Sequence, residues 1–546
     1  MKQYKSVFLI LSAAVLLSTD FIAYSQTKGL KTITEKELRY HLDFLGAIEF
    51  RGRETPSPEL EIATLYIGNW AKHNGLKPLM KDGSFYQEVP VKVTAVSEAK
   101  TRMKIVNGTN ESVWYFGKSF GGNFAVSGSY SGTVFFAGTG TDELNDSDLR
   151  GKIVVLIDEQ KPGTKTESSP WLTSRMSERV AVIREKGASA VFSIVSPEKQ
   201  KRITTASAFY EYIPTGRLGT LYDSQRTAFG AASSQIVRQE RPLLPFTFAE
   251  INHNLAAYLL ETTEDEIAGL FATVRSGNVL NAKEIPETYV KLDVELDTYM
   301  ATSRNVVAFV EGSDPVLKNE YVVISGHHDG RGIDDGEIVP GADDNGTAAV
   351  ALLEIGQALL NEHPKRSVIL LWVTGEEQGM NGSHYFINNC PVPVEKISAC
   401  LDMDMLGRNN TDSLYLIGSD LLSSELDASI RKANTSYGIN FGFDYRYSNL
   451  THPQRVYFRS DHYPFIRFGI PSVWFFSGFT NDYHSYRDVS EAVDYMKFLK
   501  ATKLVYATAM NIGNARALLK LDVNQAVKSR GTHNLKETSL FQASEK

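Results

Sequence analysis

From residue 305 onward, short apolar runs alternate with helical patterns, and this alternation limits the fold more than any other feature of the chain. The runs 305–310, 321–325, 367–373, 397–404 and 471–476 have strand length, and the segment 348–360 between two of them carries helical periodicity. Strands alternating with helices belong to an α/β fold: a mixed, mostly parallel sheet flanked by helices. Such a sheet lines up its strand C-termini along one edge, where ligand crevices form. Along this chain those ends are where histidines and acids collect.

His327 and Asp329 follow the run 321–325, and Asp343 and Asp344 precede the next helix. Glu376 and Glu377 follow 367–373, Asp402 and Asp404 close 397–404, and His484 lies in the loop after the last run. That many carboxylates in one cleft would repel and take up protons unless cations joined them. Two histidines among the acids suit Zn²⁺ better than the oxygen-only sites of Mg²⁺ or Ca²⁺. A pair of zinc ions would need a bridging carboxylate, the natural role for Asp343, leaving each ion one histidine and one further acid. Zinc brings the pKa of a bound water to about 7, and a free carboxylate must then move its proton to a leaving amine. The adjacent Glu376 and Glu377 supply one such base and one ligand.

Upstream the texture differs. Residues 34–45 and 57–75 read as helices, the first with Thr32 or Thr34 as its N-cap. Glycine-punctuated strands dominate 112–270 and read as a β-rich insertion with no concentrated chemistry. The expected organisation is therefore 26–111 as the N-terminal part of the main domain, 112–270 as the insertion, 271–519 as the rest of the main domain, and 520–546 as a polar, disordered tail. Lys2 and Lys5, the apolar stretch 7–17 and the small residues Ala23 and Ser25 predict a signal peptide over 1–25, hence export to the periplasm or beyond. No later stretch is long enough to span a membrane. With net charge −7 and no basic run, nucleic acid is not an expected partner. Cys390 and Cys400 fit either a disulfide or two structural thiols.

Several residues have plainer readings. His328 points away from His327 on a strand, Asp344 supports the turn at Asp343, His462 is a structural residue or a support behind the ligands, and His384 is a surface or core residue of a helix. Asp334, Asp335 and Glu337 read as solvated charge. Gly128-Ser129-Tyr130-Ser131-Gly132 matches the nucleophile-elbow pattern, but a strand follows it where a helix is required, so Ser131 is read as a turn residue.

The motifs Gly326-His327-His328-Asp329, Pro340-Gly341-Ala342-Asp343-Asp344, Gly375-Glu376-Glu377, Asp404-Met405-Leu406-Gly407, Ser460-Asp461-His462 and Tyr483-His484 occur in one order. Together they resemble the co-catalytic zinc exopeptidases, the family of bacterial leucyl aminopeptidases and glutamate carboxypeptidases. The segments Gly151-Lys152-Ile153-Val154-Val155 and Lys186-Gly187-Ala188-Ser189-Ala190-Val191 resemble a protease-associated insertion. The resemblance implies two zinc ions per chain, one held by His327 and Asp404, the other by Glu377 and His484, with Asp343 bridging. It implies Glu376 as general base and acid, Asp329 as the residue orienting His327, and Tyr457 as a group polarising the scissile carbonyl. It implies peptide substrates and, first among activities, an aminopeptidase. The alternatives are a carboxypeptidase using Arg408, Arg455 or Arg459, a single-zinc glutaminyl cyclase, and a non-catalytic receptor-like relative.

Overall fold

The computed structural model describes residues 28–531, apart from 123, 125, 141–143, 145–146, 160–174, 207–216, 220–245 and 335–336. The signal peptide expected over 1–25 and residues 532–546 lie outside the described residues. The described residues form two compact units, one between Lys92 and Met300, the other comprising the chain up to Val91 and from Ala301 on.

The second of these units opens with helix α1 (Glu35–Leu45), where the Thr34 side chain accepts from the Glu37 N–H. Helix α2 (Pro58–His73) begins likewise: Ser57 accepts from the Leu60 N–H, and Pro58 fills a first-turn position whose N–H would have had no helical partner. The sheet follows. Seven of its ten strands are β1 (Leu296–Val310), β2 (Tyr321–His327), β3 (Ser367–Val373), β4 (Ile397–Met403), β5 (Ser413–Ile417), β6 (Gly442–Asp444) and β7 (Ser472–Phe476). Their spatial order is β6-β5-β7-β4-β2-β3-β1. The central strands β7, β4, β2 and β3 run parallel, while β5 and β1 flank them antiparallel. This is the mixed sheet expected from the alternation, parallel in its centre.

The parallel strands are buried on both faces, which is why they read as continuous apolar runs. Successive residues still alternate between two cores. Val322, Ile324, Leu370, Trp372 and Leu401 pack with α1, helix α3 (Thr347–Asn361) and helix α7 (Tyr495–Gly513). Val323, Ile369, Leu371 and Cys400 pack instead with Phe386 of helix α4 (Asn381–Asn388) and Phe465 of helix α6 (His462–Arg467). Helix α5 (Ser424–Ser436) lies against α7. At Gly326 a Cβ would stand 2.7 Å from that of Ala348 on α3. Trp372 is fully buried, and its indole N–H donates to the Ala349 carbonyl at 2.8 Å. Past Leu519, where a disordered tail was expected, the chain packs: Val527 is buried and Asp522 accepts from the Ser424 N–H and hydroxyl. Cys390 and Cys400 are both free thiols.

The other unit carries its own sheet, ordered Asn110–Tyr115, Arg102–Asn107, Lys283–Val294, Gly128–Phe136, Ile153–Ile157, Ala190–Ile194, Thr247–Ile251, Phe120–Gly121. Its core of Val134, Ile153, Val155, Phe192 and Ile251 is separate from the two above. The unit reaches beyond 112–270 at both ends because strands Arg102–Asn107 and Lys283–Val294 pair with each other. Ser131 lies within strand Gly128–Phe136, opposite Lys291, and not at a turn. No helix of the described residues is long and apolar enough to cross a membrane.

Candidate metal centre

The C-terminal edge of β2, β3 and β4 gathers the acids and histidines. His327 is the last residue of β2, Glu376 and Glu377 follow β3, and Asp404 follows β4. His484 arrives from the loop after β7 with φ +54°, a left-handed backbone uncommon outside glycine. Two sets of potential ligand atoms result: His327, Asp344 and Asp404, then Asp344, Glu377 and His484. His327 Nε2 lies 3.5 Å from Asp344 Oδ1 and 3.4 Å from Asp404 Oδ1. His484 Nε2 lies 3.1 Å from Asp344 Oδ2 and 3.2 Å from Glu377 Oε2.

Asp344 therefore joins the two sets, the position expected of Asp343. The cause lies in the turn before α3. Asp344 and Asn345 leave helical geometry there, at φ −109°, ψ 88° and φ −131°, ψ 45°, which swings the Asp344 carboxylate to the His327 side. Asp343 is turned the other way: its Oδ1 accepts from the Gly407 N–H at 2.7 Å, and its carbonyl accepts from the Thr347 hydroxyl. Asp488 fixes both, accepting the Asp343 N–H at 2.9 Å and the Asp344 N–H at 3.0 Å.

Whether this donor set fits zinc can be tested on its own atoms. His327 Nε2, Asp344 Oδ2, Glu377 Oε1 and Asp404 Oδ1 are all buried with no hydrogen-bond partner among the described residues. Orphaned buried polar atoms are costly, and four converging ones point to a cation. Imidazole nitrogens beside carboxylates are the donors Zn²⁺ takes. The electrostatics agree. Burial disfavours a charged His327, yet Asp404, Asp344 and Glu376 hold its pKa well above 6.5. Burial likewise opposes charge on His484, and Glu377 and Asp344 raise it to about 9. In this carboxylate field, a proton on each imidazole takes the place a metal ion would fill.

Around the ligands, Glu376 Oε2 stands 3.8 Å from His327 Nε2. Burial, with Asp404, Asp461 and Glu377 nearby, raises the Glu376 pKa well above 4.5 against the pull of His327. Asp329 reaches His327 differently from the expectation: its main-chain carbonyl lies 3.1 Å from Nδ1, its carboxylate 3.7 Å. The Asp329 carboxylate accepts the Glu376 N–H at 3.2 Å instead, so it positions the glutamate loop too. The Ser460 hydroxyl stands 2.9 Å from an oxygen of both Asp402 and Asp404, and Asp402 also accepts from Ser325 at 2.7 Å. Asp402 is thus a support and Asp404 the ligand candidate. Tyr457 is fully buried, edge-on to His462 at 5.5 Å, and its hydroxyl has no hydrogen-bond partner among the described residues.

His328 turns away as expected, its ring nitrogens lying 2.9 Å from Thr64 Oγ1 and 2.7 Å from the Val373 carbonyl. His384 and His462 are both buried. Asp334 is exposed and 3.9 Å from Arg331, while Asp335 lies outside the described residues. Of the arginines weighed for a carboxypeptidase, Arg408 is paired with Asp482, Arg455 lies over Phe458 and Arg459 over Phe479. Two supports gave no local signal in the sequence: Asp488 and the buried Arg53, which donates to the carbonyls of Leu45, His328, Pro340 and Gly341. Their roles depend on partners distant in the chain.

Residues 305–509 match the model of Peptidase family M28. The chain is 31% identical over 197 residues to a probable leucine aminopeptidase 2 of Aspergillus oryzae, covering 35% of this chain and 37% of the relative. It is 31% identical over 185 residues to leupeptin-inactivating enzyme 1 of Streptomyces exfoliatus, covering 33% and 36%. The match thus spans little more than a third of the length of these curated relatives. The fold is that of a zinc aminopeptidase from Bacillus subtilis, at TM-score 0.52 and 14% identity over 92% of this chain and 98% of that one. A peptidase M28 precursor from Shewanella amazonensis shares it, at TM-score 0.52 and 15% identity over 92% and 98%.

Proposed function

We propose that the chain is an exported zinc aminopeptidase that removes N-terminal residues from peptides at a two-zinc centre. The observation that carries this reading is the pair of ligand sets sharing Asp344, with the buried Glu376 carboxyl beside them. His327 and Asp404 would hold one ion and Glu377 and His484 the other, with Asp344 between. Bound zinc would polarise the scissile carbonyl and acidify a water. Glu376 takes the proton from the attacking water and delivers it to the departing amine. Asp329 holds the Glu376 main chain and, through its carbonyl, the His327 ring. The Tyr457 hydroxyl is assigned to the substrate carbonyl, since it lacks a partner of its own.

Export rests on the features of residues 1–25, and the unit between Lys92 and Met300 is assigned as the protease-associated insertion on its sequence resemblance. The function is tested by metal analysis together with hydrolysis of matched free and N-acylated peptides. Two zinc ions per chain and cleavage of free peptides alone are expected; equal cleavage of acylated peptides would refute the aminopeptidase assignment.

A further inference from the structure

Arg331 is a cation that the structure sets beside the second ligand set, and the assignments above leave it without a task. Its Nη1 lies 3.8 Å from Glu377 Oε2 and its Nη2 3.9 Å from Asp334 Oδ2. Both separations exceed hydrogen-bond length. Its Nε is buried and meets no acceptor among the described residues. Asp344 and Tyr483 add to the negative field at the guanidinium. The main chain on either side is tied down. Gly330 N–H donates to the Arg53 carbonyl at 3.1 Å and Gly332 N–H to the Gly52 carbonyl at 3.0 Å. Arg53, with its own four carbonyl partners, makes that anchor rigid. The main chain that carries Arg331 is therefore fixed before any ligand arrives, which lowers the entropic cost of binding one.

Two carboxylates now share this arginine at long range. A zinc ion on Asp344 and Glu377 would offset their charge and leave the guanidinium fork without a full counter-ion. A planar fork with unused donors is the group that takes a carboxylate in two parallel hydrogen bonds. Resting on the peptidase reading, we propose that Arg331 is a specificity residue that binds a carboxylate carried by the peptide substrate. That carboxylate has two chemical sources, an acidic side chain or the free C-terminus of a very short peptide.

Isosteric pairs separate the sources. Asp-Leu-amide against Asn-Leu-amide reads the side chain, and Leu-Gly against Leu-Gly-amide reads the C-terminus. With zinc-loaded protein, the charged member of at least one pair should have the higher kcat/KM. Arg331→Gln should lower that preference by about tenfold or more while sparing the neutral member, the effect of losing one charge-assisted hydrogen bond. Arg331→Lys should restore part of it, which a merely structural role would not. The same pairs are titrated calorimetrically into the Glu376→Gln chain with and without Arg331→Gln, so that affinity is read without turnover. Absence of hydrolysis of every peptide by the unaltered protein would refute the peptidase reading, and the calorimetric preference would still report on Arg331. No preference for either charged peptide, or equal loss for charged and neutral members in Arg331→Gln, would overturn the assignment of Arg331.

Discussion

Asp343 and Asp344 are adjacent and chemically identical, yet the fold gives them different work. Asp344 faces both imidazoles, while Asp343 is occupied by Gly407 and Thr347. Asp344→Asn should therefore strip zinc from the protein, as seen by metal analysis after dialysis. Asp488→Ala should keep the ligands but loosen the turn that aims Asp344, weakening zinc affinity on the order of 10–100-fold in a chelator competition. Glu376→Gln separates chemistry from binding: zinc content should stay that of the unaltered protein, while kcat falls by roughly 10²–10⁴. A variant retaining full kcat would remove Glu376 from the mechanism.

Between elements, the contact of β2 with α3 sets how close the helix carrying Asp344 at its start can come to the strand carrying His327. Gly326 makes that approach possible, since a Cβ there would press on the Ala348 side chain at 2.7 Å and the Met403 carbonyl at 3.1 Å. Gly326→Ala should destabilise the fold by roughly 1–3 kcal/mol, read as a lower denaturant midpoint with unchanged slope. A second contact joins α1 to α3. Glu354, almost fully buried, lies 3.7 Å from His41, whose other ring nitrogen is 2.7 Å from the Tyr66 hydroxyl. Burial, with Glu37 nearby, raises the Glu354 pKa to about 8. Because the folded state keeps this proton longer than the unfolded chain, its stabilisation is complete below pH 4.5 and is lost as pH rises through about 8. His41 works oppositely: burial lowers its pKa, so its contribution is present above pH 6.5 and lost as pH falls. Of this pair, Glu354 alone acts between pH 6.5 and 8, and Glu354→Gln should flatten the decline in denaturant stability over that interval. An unchanged slope would show that Glu354 ionises normally.

For the molecule as a whole, the metal centre ties strand ends and loops that lie far apart in the chain, so zinc should act on global stability. Zinc at about 100 times its dissociation constant should add about 2.7 kcal/mol per site, seen as a higher Tm that a chelator reverses. A Tm indifferent to zinc would mean that the two ligand sets are not a binding site. The architecture was legible before the coordinates because burial of a parallel sheet on both faces demands continuous apolar runs, and strand ends must then share an edge. That geometry follows from periodicity alone and brought His327, Glu376, Glu377, Asp404 and His484 to one crevice. Local sequence could not choose between two neighbouring aspartates. That choice came from the non-helical turn at Asp344 and from Asp488, Gly407 and Thr347, which meet the turn only in the folded chain. Nor could it assign Asp402 to Ser325 and Ser460, or place Arg331 beside Glu377. Sequence thus determined which strand ends meet and which residue types they bring. Tertiary structure alone decided which oxygen atoms face the metal centre, because side-chain direction depends on hydrogen bonds between residues separated by tens to hundreds of positions.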